Sequence, residues 1–317
     1  MIALAEAEVY SRRNRDGHYT WGGVKLPSVT TVLGLIGSDH LYMWYSKMVA
    51  EEVAQLVTRR AEGFLDPEEC DEALLDWKSR MTAAVRYRDH KAAIGSITHH
   101  AIYERAMGIS PGHDAIENLM RIGIEIGVID PNKDTDPADP YGQRLAREAR
   151  HYVESAYRWL DDEVPDFEAI GQEAVCVSLT HSYAGTTDAI VNRTRKSNRR
   201  LHLDFKTSNS IDEKKFRMQI EAYRRADFIG LMADGSEHEV PPTDGVGIVW
   251  VRPMDKTTIH EFDVSDELFE GFLSARHLYG VLHEMPKANH RPRAARADRP
   301  AAAARTEKAR QPKECPF

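Results

Sequence analysis

The chain has 317 residues, 42% of them hydrophobic, which is enough to bury a sizeable core in one large domain or two small ones. No apolar run approaches a membrane span and residues 1–17 lack the apolar stretch of a signal peptide, so a cytoplasmic chain is expected. Cys70, Cys176 and Cys315 are too few and too scattered for a disulfide framework, a zinc site or an iron–sulfur cluster.

The net charge of −8 divides unevenly, because residues 286–317 hold nine Lys/Arg against three Asp/Glu and leave residues 1–285 with 33 against 47. An acidic body repels a polyanion at long range, yet an acidic cluster that binds cations reverses the local sign, so net charge does not decide the partner.

In chain order, a turn at "NRDGHYTWGG" precedes "LPSVTTVLGLI", a short β-branched run. Helical periodicity follows over residues 41–63, 66–93 and 95–107. Residues 108–140 read as a surface insertion, with a short helix near "AIENLMRIGIEIG" before the Pro/Asp loop "DPNKDTDPADPYG". A helix over 142–163 leads into three strands, at 173–179, 184–194 and 200–208, the last two forming a hairpin around "RKSN". A helix over 212–232, strands over 245–252 and 258–264, and a helix over 266–284 complete the body. The tail 286–317 has Phe317 as its only large apolar side chain and reads as disordered, since it cannot offset its ordering entropy by burial.

The stretch "LHLDFKTS" alternates: Leu201, Leu203 and Phe205 point one way, His202, Asp204, Lys206 and Ser208 the other. Folding the hairpin about Lys196 sets Asp188 opposite Asp204, with Cβ atoms about 4.5–5.5 Å apart. Facing carboxylates repel unless something cationic lies between them, a need that Lys206 meets only in part and that a hard divalent cation, Mg²⁺ or Mn²⁺, would complete. Such an ion activates water and polarises phosphoryl oxygens, and Lys206 would orient that water or take its proton. The plainer alternative is a solvent-facing hairpin with an ordinary Asp/Lys pair.

Four motifs in order resemble the PD-(D/E)XK nuclease superfamily, in its RecB-like exonuclease branch: "GSITHHAIYE", "YAGTTDAIV", "LDFKTS" and "QIEAY". The similarity spans about residues 20–285 and implies one nuclease domain over 1–285. The implied fold is an α/β restriction-endonuclease-like core, a mixed central sheet flanked by helices, with a helical N-terminal region. It further implies a metal-dependent deoxyribonuclease, exonucleolytic on single strands or duplex ends. The setting would be phage or bacterial recombination or repair, with a recombinase or single-strand-binding protein as possible partner and no membrane. A structure-specific endonuclease, or a non-catalytic DNA-binding protein keeping the fold, are the alternatives. Thr187 departs from the proline of the family name, and the four cluster-binding cysteines of some relatives are absent.

By that resemblance His99, Asp188, Asp204 and the backbone carbonyl of Phe205 would hold the metal, with Lys206 completing the catalytic set. Gly95 and His99 lie one helical turn apart on a face shared with Ile102 and Ala106, where glycine permits close approach to the sheet. Gln219 and Tyr223 share a face with Phe216 and Ile220, and either deliver an amide and a phenol to the substrate backbone or are two polar tips on a core-facing helix. Glu173 is open to two readings, a further carboxylate near the metal or a solvated edge residue. The basic residues Arg193, Arg195, Lys196, Arg199, Arg200, Lys214, Lys215 and Arg217 form either a phosphate track or a solvated tip.

Overall fold

The structure, a computed structural model, describes residues 10–14, 16–37, 39–75, 77–109, 116–134, 141–254 and 256–285; the tail expected over 286–317 lies outside them. The chain folds as a mixed α/β protein with eight α-helices and ten strands among the described residues. Among these, no helix is long and apolar enough to cross a membrane.

The chain enters through a hairpin of β1 (His18–Trp21) and β2 (Val24–Pro27), so the stretch expected to be only a turn contains a strand. Within the β-branched run that follows, "VTTVL" folds as helix α1 (Val29–Leu33). Ser28 caps it, its side chain accepting from the Thr31 amide at 3.0 Å, and Val29, Val32 and Leu33 are buried. A cap and tertiary burial override the β preference of valine and threonine. Helices α2 (Asp39–Ala61), α3 (Pro67–Leu75) and α4 (Trp77–Ala106) follow. The helix expected over 66–93 is divided between α3 and α4, and α4 runs on through Gly95 to a length of 30 residues.

Helix α5 (Ile116–Glu125) corrects the expectation of a surface insertion, because Leu119, Ile122 and Ile129 are fully buried. They pack with Ile94 and Ile97 of α4, with Leu145 and Trp159 of α6 (Tyr141–Glu163), and with Leu201, Leu203 and Phe205 of the sheet. Each such side chain contributes roughly 1.5–3 kcal/mol on burial, so this segment is core.

Eight strands form two four-stranded sheets in place of the one central sheet expected. One has the order β10–β9–β6–β5, comprising Thr258–Asp263, Gly245–Trp250, Leu201–Lys206 and Ala189–Val191; β6 and β9 run parallel and the other pairs antiparallel. The other has the order β4–β3–β7–β8, comprising Tyr183–Thr187, Ala174–Ser178, Phe228–Gly230 and Glu237–His238, all antiparallel. The strand expected over 184–194 therefore splits in two, and the chain passes from one sheet to the other at Asp188.

Helix α7 (Glu213–Arg224) packs on β6 and β9 through Ile220, Val246 and Ile248. It ends earlier than expected because "FIG" pairs with β3 as strand β7. Helix α8 (Asp266–Tyr279), capped by Ser265, covers β3 and β4 with α1. Strand β6 is thus buried on both faces, by α4 and α6 on one side and α7 on the other.

Candidate functional site

The β5–β6 register is Ala189↔Leu203, Ile190↔His202 and Val191↔Leu201, which is the pairing about Lys196 expected from sequence and which brings Asp188 up against Asp204. A second pairing meets it at the same residue. Strands β3 and β4 pair as Ala174↔Thr187, and the Glu173 amide donates to the Asp188 carbonyl at 3.1 Å. Asp188 is therefore the shared corner of two hairpins, with Asp204 across one and Glu173 across the other.

Glu173 is no solvated edge residue. Its backbone adopts the left-handed region at φ 48°, uncommon for a residue with a side chain. One ligand atom each from Glu173, Asp188 and His99 lies within 4.8 Å of the others, and all three are partly open to a cleft of about 720 Å³. The sequence signal for Glu173 was the register of the β3–β4 hairpin, visible only once its turn is located.

His99 reaches this corner from α4, its Nδ1 3.5 Å from Asp188 Oδ1. The approach depends on Gly95, where an added Cβ would lie 2.9 Å from Thr207 Oγ1, just beyond β6. Asp188 Oδ2 accepts the Phe205 amide at 2.6 Å. The amide and carbonyl of one strand residue point to the same edge, so the Phe205 carbonyl faces Asp188 too.

The electrostatics follow from the crowding. Burial pushes the Glu173 carboxyl up, and Asp188 beside it adds to the effect, to about 7. Burial also pushes Asp204 up, to about 6, against the pull of Lys206. For Asp188 burial is outweighed by His99 and Lys206, and its carboxyl is held below the usual range. Burial pulls His99 down, but Asp188 more than compensates and leaves it raised. Carboxyl groups crowd one partly buried corner, and a divalent cation among His99, Glu173 and Asp188 would relieve their repulsion directly. The donor set, two carboxylates, one imidazole and a carbonyl edge, suits Mg²⁺ or Mn²⁺.

Asp204 is tied to Lys206 and Gln219. Its Oδ2 lies 2.6 Å from Lys206 Nζ and its Oδ1 accepts from Gln219 Nε2 at 3.1 Å, and it is 1% exposed. It is not one of the three converging groups, although Asp188 lies close enough to raise its carboxyl and His99 to lower it. Gln219 and Tyr223 are likewise buried, so they do not reach out to a substrate backbone. Gln219 bridges Asp204, the Tyr223 hydroxyl at 2.9 Å and Lys206 at 3.3 Å, holding the carboxylate and the lysine in place. Tyr223 packs on Gly185, where a Cβ would meet its ring at 2.4 Å. Lys206 also lies over the Phe216 ring, 4.7 Å from its centroid.

Thr187, the departure from proline, is fully buried with its hydroxyl 2.6 Å from His202 Nε2. Burial drives that imidazole down to about 3, so His202 is a neutral core residue and not a ligand.

The basic residues read as a phosphate track are largely occupied. Arg193 lies 3.8 Å from Asp166, Lys196 pairs with Glu163, Arg199 lies 2.8 Å from Asp263 and Arg200 2.6 Å from Glu168. Arg195 is exposed at the same tip. This end of the hairpin is the one remote from Asp188. Lys214 is exposed, Lys215 donates to the Ile36 carbonyl at 3.2 Å, and Arg217 lies 3.2 Å from Glu213.

The cleft is lined instead by Arg12 and by Lys91, Gly95, His99 and Tyr103 of α4. The last four follow one another at intervals of four, a single stripe along the helix that their spacing could have revealed.

No protein-family model matches the chain, and a search of curated proteins finds no match.

Proposed function

We propose that the protein is a metal-dependent phosphodiesterase acting on DNA. The observation that carries this reading is the convergence of His99, Glu173 and Asp188 in one open cleft, next to the Asp204–Lys206 pair. Bound there, a divalent ion supplies Lewis acidity toward a phosphoryl oxygen and an acidified water. The chain's own residues supply the rest. Glu173 gives up its proton on loading, and Asp188 stays ionised. Gln219 orients Asp204, which pairs with Lys206, and Lys206 would position the attacking water by donation from Nζ. The buried helix α7 beneath them fixes this geometry by packing.

The resemblance in the four motifs extends the reading to exonucleolytic digestion of DNA ends in recombination or repair, in a bacterial cytoplasm, beside a recombinase or a single-strand-binding protein. The test is digestion of end-labelled single- and double-stranded DNA, linear against covalently closed circular, with Mn²⁺ or with excess EDTA. Cleavage of linear DNA that depends on Mn²⁺ is expected. Undiminished cleavage in EDTA, or none in Mn²⁺, overturns the reading; equal cleavage of closed circles replaces the exonuclease with an endonuclease.

A further inference from the structure

The cleft raises a problem for any polyanion. Its floor carries Glu173 and Asp188, and residues 1–285 hold 47 acids against 33 Lys/Arg. Of the hairpin-tip cations, Arg193, Lys196, Arg199 and Arg200 already face acids, and the tip lies at the end of the strands remote from Asp188. Among the described residues that line the cleft, Arg12 and Lys91 carry positive charge.

Two elements supply it. Arg12 is exposed and sits in a segment pinned to β1 by the Ser11–Thr20 pair of backbone bonds, at 2.9 and 3.0 Å. Its Nη2 donates to the Glu173 carbonyl at 3.3 Å, so the guanidinium stands over the carboxylate cluster with further donors to offer. Lys91 lies at the other end of the α4 stripe, one turn before Gly95, and is shared with Glu148 at 3.7 Å, whose closer partner is His90 at 2.9 Å. At the opposite end Tyr103 is partly exposed, its ring 5.9 Å from that of His100. From Lys91 to Tyr103 the stripe runs about 18 Å at the helical rise, or roughly five nucleotides of a stacked strand.

We infer that this wall is the track for a single DNA strand: Arg12 and Lys91 take phosphates flanking the metal cluster, and Tyr103 stacks on a base. The inference rests on the proposed function and adds the substrate contacts to it. Phosphate contacts from a guanidinium and an ammonium give affinity without sequence preference, and an aromatic face adds stacking that every base can use. The N-terminal segment thereby belongs to the site.

The experiment uses the full chain with Mn²⁺ and a single-stranded oligonucleotide, reading KM against salt for wild type, R12Q, K91Q, R12K and Y103A. In R12Q and in K91Q, KM should rise about tenfold at low salt, and the slope of log KM against log salt should fall by roughly 0.7 for each phosphate left without its cation. R12K should retain the slope. Y103A should raise KM about tenfold with the slope unchanged, as loss of stacking requires. The Mn²⁺-linked rise in Tm should persist in all four, separating substrate capture from metal loading. An unchanged KM and slope in the R12Q/K91Q double variant, with wild type cleaving normally, overturns the track and leaves the nuclease reading standing. Loss of both in R193Q/R195Q instead moves the contacts to the hairpin tip. A wild-type chain that cleaves nothing in Mn²⁺ overturns the function and the track together.

Discussion

Helix α4 carries two adjacent histidines, and each belongs to a histidine–carboxylate cluster of similar size. His99 meets Glu173 and Asp188; His100 meets Glu104 and Glu125. In the second, Arg121 Nη2 lies 2.7 and 2.8 Å from the two oxygens of Glu104, and Nη1 lies 2.7 Å from Glu125. A guanidinium already fills the space that a metal would take. In the first, Lys206 pairs with Asp204, Arg12 donates to the Glu173 backbone carbonyl and not to its carboxylate, and burial together with Asp188 raises the Glu173 carboxyl to about 7. Ligand types and spacing alone do not make a metal site; whether a side chain has already neutralised the carboxylates does.

The largest effect that can break this comparison is at Asp188. Asp188→Asn should abolish Mn²⁺-dependent cleavage and the metal-linked rise in Tm, whereas Glu104→Gln should preserve both. Cleavage surviving in Asp188→Asn would place the chemistry elsewhere.

Next is Lys206→Met, which keeps the three converging ligands. The metal-linked Tm rise should remain while the rate of DNA cleavage falls by about a hundredfold or more, the signature of a group acting in the transition state. Equal rates in the variant and wild type would remove the lysine from the mechanism.

Arg121→Gln attacks the second cluster directly. Glu104, only 4% exposed, loses its charged partner, and a loss of about 1–3 kcal/mol in urea unfolding is expected. Mn²⁺ should now recover part of that stability, since the variant frees the carboxylates that the arginine neutralised. No gain from Mn²⁺ would mean that the His100 cluster lacks a metal geometry even when opened.

The smallest effect is a pH dependence. The metal-free folded protein holds the Glu173 proton up to about 7, while an unfolded chain releases it near 4.3. Folding therefore binds a proton between these values, so this contribution is fully present at low pH and is lost as pH rises through 7. Glu173→Gln has no such group, so its Tm should gain on wild type from about pH 4.3 to 7 and hold a constant lead above that. Saturating Mg²⁺ should erase the lead. A difference in Tm that does not vary with pH would mean Glu173 is ionised throughout.

Much of this was legible in the sequence because it is local. The periodicity of α6 and α8, the alternation of β6 and the turn at "RKSN" depend on residues close in the chain, and together they set the pairing that brings Asp188 to Asp204. The stripe through Gly95 and His99 follows from helical geometry alone.

What the sequence left open rested on contacts between distant segments. Burial against α8 and capping by Ser28 turned a β-branched run into α1. The bend at Asp188 split one expected strand between two sheets, because β3 and β6 compete for opposite halves of it. That same bend brought Glu173 into the cluster and left Asp204 to Lys206 and Gln219. The residue types and their register were written locally, whereas the division of carboxylates between the open cleft and the Lys206–Gln219 pair was decided by three-dimensional packing. Burial and the nearest charge are not properties of chain spacing.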